Sequence, residues 1–110
     1  MSKLCRIEML KIFAEQEPDN PFNWYALALE YQNNNAENAK FFFNKLLSEH
    51  NVYLPTYFHA AIFFSDLGEI QKAKDIYENG IKLAEIQKDE KTLKELKNSY
   101  QNFLFENDLF

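Results

Sequence analysis

The chain has 110 residues and weighs 13.1 kDa, a length that suits one domain with a modest core. Its formal net charge is −5 and its pI is near 5.0, so it repels phosphate backbones and nucleic acid is excluded as an expected partner. Cys5 is the sole cysteine, which excludes an intramolecular disulfide, and no apolar run approaches the roughly 18 residues a membrane span needs.

The first 17 residues mix Lys, Arg and Glu into apolar positions, which is not the pattern of a signal peptide. Together with the cysteine count this leads us to expect a cytoplasmic protein with no membrane partner. Eleven phenylalanines against two glycines and three prolines point to an all-α chain with large side chains in its core and few turns.

Residues 3–16 are predicted as the first helix, with Leu4, Ile7, Leu10, Phe13 and Ala14 forming one apolar stripe. Glu17-Pro18-Asp19-Asn20-Pro21 breaks it, because proline disfavours helix in the residue before it. Asn20 is then the expected cap, and Pro21 the first turn, of a second helix over about 21–33. That helix carries Trp24, Leu27, Ala28 and Tyr31, and the polar break Asn33-Asn34-Asn35 follows. A third helix, about 36–49, carries Ala36, Ala39, Phe43, Leu46 and Leu47.

Pro55 opens a fourth helix over about 54–67, and Gly68 is suited to the left-handed conformation that closes it. A fifth helix follows over about 70–87, then a charged break at Lys88-Asp89-Glu90-Lys91 and a sixth helix from near Thr92.

The helices repeat one another. Trp24, Leu27, Ala28 and Tyr31 share their offsets with Tyr57, Ala60, Ala61 and Phe64, 33 residues later. Ala39 and Phe43 correspond to Ala73 and Tyr77, 34 residues later. Asn34-Asn35 stands where Leu67-Gly68 stands in the second copy. Large aromatics alternate with Ala or Gly, Gly80 among them, which allows paired helices to approach closely and interlock. In the sixth helix Leu93, Leu96 and Tyr100 keep the offsets, but Lys97 replaces the small residue. A helix with one apolar and one solvated face ends a stack.

This order of sizes resembles the tetratricopeptide repeat, a 34-residue unit with aromatic, Leu, small, Tyr, Ala and Phe positions and a late Pro. The resemblance covers about residues 4–104 and is similar to short bacterial proteins of this type. Ala28 and Ala61 stand where the family has Gly, and the late Pro is missing after both full repeats. The resemblance implies an all-α, TPR-like α-solenoid of about six antiparallel helices forming one domain over 1–110. Its parts would be a half-repeat helix (3–16), repeat 1 (21–53), repeat 2 (54–87) and a capping helix (91–106).

Chemistry-bearing motifs are lacking in the sequence. There is no glycine-rich phosphate loop, HExxH pair, EF-hand loop or Cys-x-x-Cys, and His50 and His59 are nine residues apart, off one helical face. The acids are interspersed with lysines, as in Glu69, Lys72 and Asp75, the pattern of solvated helix pairs. No enzyme activity, catalytic residue, metal or cofactor is expected.

By the resemblance, the first helix of each pair lines a concave groove that binds proteins. Its positions here are Phe22, Tyr25, Leu29, Gln32 and Asn33, then Phe58, His59, Ile62, Ser65 and Asp66. Family members that clamp a terminal carboxylate use Lys and Asn there. Tyr25 and Leu29 suit an apolar peptide or an amphipathic helix instead. Three covers for such a groove are open: a foreign protein segment, a second copy, or the chain's own tail, which carries Phe103, Leu104, Phe105, Leu109 and Phe110. A homodimer could form through the groove or through Phe41-Phe42-Phe43. In that run Phe43 takes the core position, Phe42 is expected half-buried, and Phe41 lies toward solvent or against a neighbouring helix.

Overall fold

The computed structural model describes residues 3–109, with side chains from residue 5 onward. The Leu4 side chain of the expected first stripe and Phe110 of the tail lie outside what is described. Among the described residues there are six helices and no strand: α1 (Lys3–Gln16), α2 (Pro21–Tyr31), α3 (Ala36–Glu49), α4 (Pro55–Asp66), α5 (Ile70–Gln87) and α6 (Glu90–Glu106). The chain divides between Thr56 and Tyr57 into two compact units.

In the first unit α1 packs on α2, and α2 on α3. Asn20 caps α2 as its side chain accepts from the Phe22 N–H, with Pro21 in the first turn where its missing N–H costs nothing. Leu27, Ala28, Ala39, Phe43 and Leu46 are fully buried, and complete burial of a large apolar side chain contributes about 1.5–3 kcal/mol. Phe42 differs from expectation: it is buried, not half-buried. Its ring stacks on Trp24 and on Tyr31, each at 5.9 Å between centroids, so the two aromatics of α2 enclose it. Trp24 is held in turn by its indole N–H, which donates to the Pro18 carbonyl, and by Lys45 over its face.

Two further expectations are corrected in this unit. Phe13 is 43% exposed, as are Met9 and Ile12 to similar degrees, because α1 turns Ile7 and Ala14 inward. Helix α2 stops at Tyr31 rather than 33. The Asn34 side chain donates to the Glu30 carbonyl, and Asn34 and Asn35 both donate backbone N–H groups to Tyr31. Asn35 then caps α3 by accepting from Asn38 N–H. This turn therefore does not copy the Leu67-Gly68 turn, since neither asparagine takes a positive φ.

In the second unit α4 from Tyr57 onward, α5 and α6 build a core from Ala60, Ala61, Phe64, Ala73, Tyr77, Ala84, Leu96 and Phe103. Helix α6 begins at Glu90, two residues before Thr92, because Asp89 caps it by accepting from both the Thr92 N–H and hydroxyl. Leu96 is fully buried and Lys97 exposed, so α6 has one apolar and one solvated face. Tyr77, Tyr100 and Phe103 form an aromatic cluster with centroids 5.3–6.3 Å apart.

Each helix of this unit closes the same way. Gly68 (φ 82°), Lys88 (φ 59°) and Asp108 (φ 54°) take left-handed backbone after α4, α5 and α6. The next residue donates back across the last turn: Glu69 to Phe64, Asp89 to Ala84 and Leu109 to Leu104. These bonds satisfy carbonyls that a helix end otherwise leaves unpaired. No helix among the described residues is long and apolar enough to cross a membrane.

Candidate functional site

The ten residues expected to line a groove fall five in each unit. On α2, Phe22, Tyr25 and Leu29 share one face by helical spacing, and the Asn20 cap and Pro21 place Phe22 in the first turn. Phe22 is 55% exposed, while Tyr25 and Leu29 are half-buried. Tyr25 meets Tyr53 edge to face at 5.5 Å. Burial, and to a lesser degree Tyr53, pushes the Tyr25 phenol up, so it stays a neutral hydrogen-bonding group. Gln32 and Asn33 lie beyond the helix, as its C-cap and in the following turn.

On α4, Phe58, His59 and Ser65 are half-buried, and Ile62 and Asp66 are exposed. Phe58 meets the His59 ring edge to face at 5.5 Å. Burial lowers the His59 pKa, which favours the neutral imidazole near pH 7.

Ile62, Ser65 and Asp66 also line a cleft of ≈ 240 Å³ that the sequence reading missed. Tyr77 of α5 and Ser99, Asn102, Phe103 and Glu106 of α6 complete it. Positions 99, 102, 103 and 106 recur at three- and four-residue spacing, so they share a face. That spacing is visible in the sequence, although nothing in it shows which helix stands opposite. Tyr77 and Phe103 are buried in the cleft, and the Tyr77 hydroxyl lies 2.6 Å from the Ser99 hydroxyl. Burial first, and then the Glu106 and Asp66 charges, push the Tyr77 phenol up against the opposing effect of Ser99.

A second hollow, ≈ 300 Å³, lies in the first unit beside Phe41, Phe42 and Tyr31, with Lys11 and Asn38. Phe41 is 61% exposed and touches Phe42 edge to face at 5.1 Å. Among the described residues no group of three or more His, Cys, Asp or Glu is placed to hold a metal ion. The cleft sets apolar side chains beside hydroxyls, an amide and two carboxylates, and the hollow sets aromatic rings beside a lysine and an amide.

No protein-family model matches the sequence, and no curated protein does. Among solved structures, the chain is similar to the solution NMR structure of a tetratricopeptide repeat domain protein from Salinibacter ruber. The TM-score is 0.73 and the two are 32% identical, over 79% of this chain and 89% of that one.

Proposed function

The chain belongs to the tetratricopeptide repeat family, and from that premise we propose that it is a binding module, not an enzyme, which takes a peptide or an amphipathic helix at the open apolar side chains of α2 in its first unit or of α4 in its second. The fold is one that generally serves protein–protein interaction. The observation that carries the reading is the set of large apolar side chains left open at helical spacing: Phe22 at 55% and Ile62 at 37% exposure, with Tyr25, Leu29 and Phe58 only half-buried. Such side chains gain from being covered. Phe103 of α6 already stands beside Ile62, Ser65 and Asp66, whereas Phe105 and Leu109 are 71% and 42% exposed and cover little. A protein segment from outside the chain remains the best-fitting occupant.

The test is the double substitution Leu29→Glu with Phe58→Glu. It should leave the chain folded, at some cost in melting because both side chains are half-buried, and remove the protein partners captured by the wild-type chain. A double variant that keeps every partner and its oligomeric state would refute the groove.

The exposed ring of Phe41 favours a second reading, self-association through the hollow on α3. Light scattering at two concentrations separates the readings. A concentration-independent monomer supports the module, and a dimer abolished by Phe41→Ser supports self-association.

A further inference from the structure

We propose that the cleft between α4, α5 and α6 receives one lysine or arginine side chain of a bound protein segment. This rests on the peptide-binding reading and names the chemistry demanded at one place on that surface. The first argument is size. At ≈ 240 Å³ the cleft is smaller than the roughly 300–1,000 Å³ typical of small-molecule pockets, and suits a single long side chain.

The second argument is the order of its lining. Ile62, 37% exposed, supplies the open apolar surface for a methylene stem, with the buried Tyr77 ring and Phe103 behind it. Ser65 and Ser99 supply hydroxyl acceptors, and Asp66 and Glu106 supply carboxylates for a charged head.

The third argument is the charge left over. No basic residue lines the cleft. By contrast, three other hollows each carry a lysine: Lys11 in one, Lys94 and Lys97 in the next, Lys82 in the last. Among the described residues, Asp66 and Glu106 have no hydrogen-bond or ion-pair partner. Their fields nevertheless converge, since both act on the Tyr77 hydroxyl. A cation entering there meets two carboxylates that, among the described residues, no cation of the chain pairs. Both acids are exposed at the mouth, so salt screens part of the attraction.

The test uses N-acetyl-L-arginine methylamide and its uncharged citrulline counterpart, each titrated into the ¹⁵N-labelled full chain. The arginine probe should shift the amides of Ser65, Ser99 and Asn102 saturably, and the citrulline probe should bind at least about tenfold more weakly. Asp66→Asn with Glu106→Gln should weaken the arginine probe by about tenfold or more. Should that variant melt lower, Asn102→Arg, which sets a guanidinium of the chain's own beside the cleft, should block the probe as well. Equal response to the two probes, shifts spread without saturation, or undiminished binding in both variants would overturn the proposal. The two readings fail separately. A silent cleft with partners lost in the Leu29→Glu, Phe58→Glu variant sinks the cleft alone. A responsive cleft with all partners kept in that variant sinks the groove alone.

Discussion

Gly80 of α5 faces Tyr57 of α4 with no room for a methyl group between them. A Cβ built on Gly80 would lie 2.7 Å from the Tyr57 Cβ and 3.1 Å from its Cγ. These atoms sit at the root of the ring, so relief requires the helices themselves to shift. On an open helix, Gly→Ala gains about 1 kcal/mol in propensity. Here overpacking outweighs that gain, and Gly80→Ala should destabilise by about 1–3 kcal/mol. Urea unfolding reads the outcome, and a midpoint higher than wild type would show the contact to be slack.

Ala61 and Ala73 are both fully buried in the same unit. Enlarging either to leucine adds three carbons to a site filled by its neighbours. Each substitution should cost roughly 1–3 kcal/mol. Calorimetry on the two single variants checks it; wild-type melting in both would contradict close helix pairing.

Left-handed residues close α4, α5 and α6, but only the first is glycine. Lys88 is exposed, so replacing it loses little packing. Lys88→Gly removes backbone strain of about 1–2 kcal/mol, partly offset by the greater freedom of glycine in the unfolded chain. The expected result is a gain of up to about 1 kcal/mol in chemical denaturation. Gly68→Ala should lose a comparable amount by conformation alone, since nothing lies within 4 Å of a Cβ built there.

The Tyr100 hydroxyl donates to the Glu78 carboxylate at 2.6 Å. Burial first, then this hydrogen bond and the nearby acids, push its pKa from 10.0 up to about 12. A raised pKa means that the fold favours the protonated phenol. That stabilisation is fully present below the unfolded value of 10.0 and is lost as pH rises through about 12. Melting temperature should therefore fall over that window. Tyr100→Phe should flatten part of the fall, and an unaltered alkaline profile would show that Tyr100 is not its source.

The six helices were legible because the chain repeats Ala28 as Ala61 and Ala39 as Ala73, each beside an aromatic. Small-beside-large at helical spacing constrains both the element and its partner. Phe13 was misplaced because α1 carries two apolar stripes: Ile7, Leu10 and Ala14 on one, Met9, Ile12 and Phe13 on the other. Periodicity cannot choose between two stripes; packing against α2 does. Phe42 was underestimated because its burial depends on Trp24 and Tyr31 from another helix. The Asn34-Asn35 turn was read by analogy with Gly68, although asparagine side chains can terminate and cap helices without a positive φ. The α4–α6 cleft was invisible for a simpler reason. Ser99, Asn102 and Glu106 look like any solvated helix face until another helix stands opposite them.

The chain's single tryptophan, Trp24, lies in the first unit, stacked on Phe42 and bonded to Pro18. The phenol cluster of Tyr77 and Tyr100 lies in the second, bonded to Ser99 and Glu78. The indole thus has a single address, whereas phenols stand in both units: Tyr25, Tyr31 and Tyr53 in the first, Tyr57, Tyr77 and Tyr100 in the second. Indole emission reports the melting of the first unit alone, and phenol absorbance sums both. Followed together in a single denaturant titration, they measure without labels whether the halves surrender as one cooperative body or in sequence.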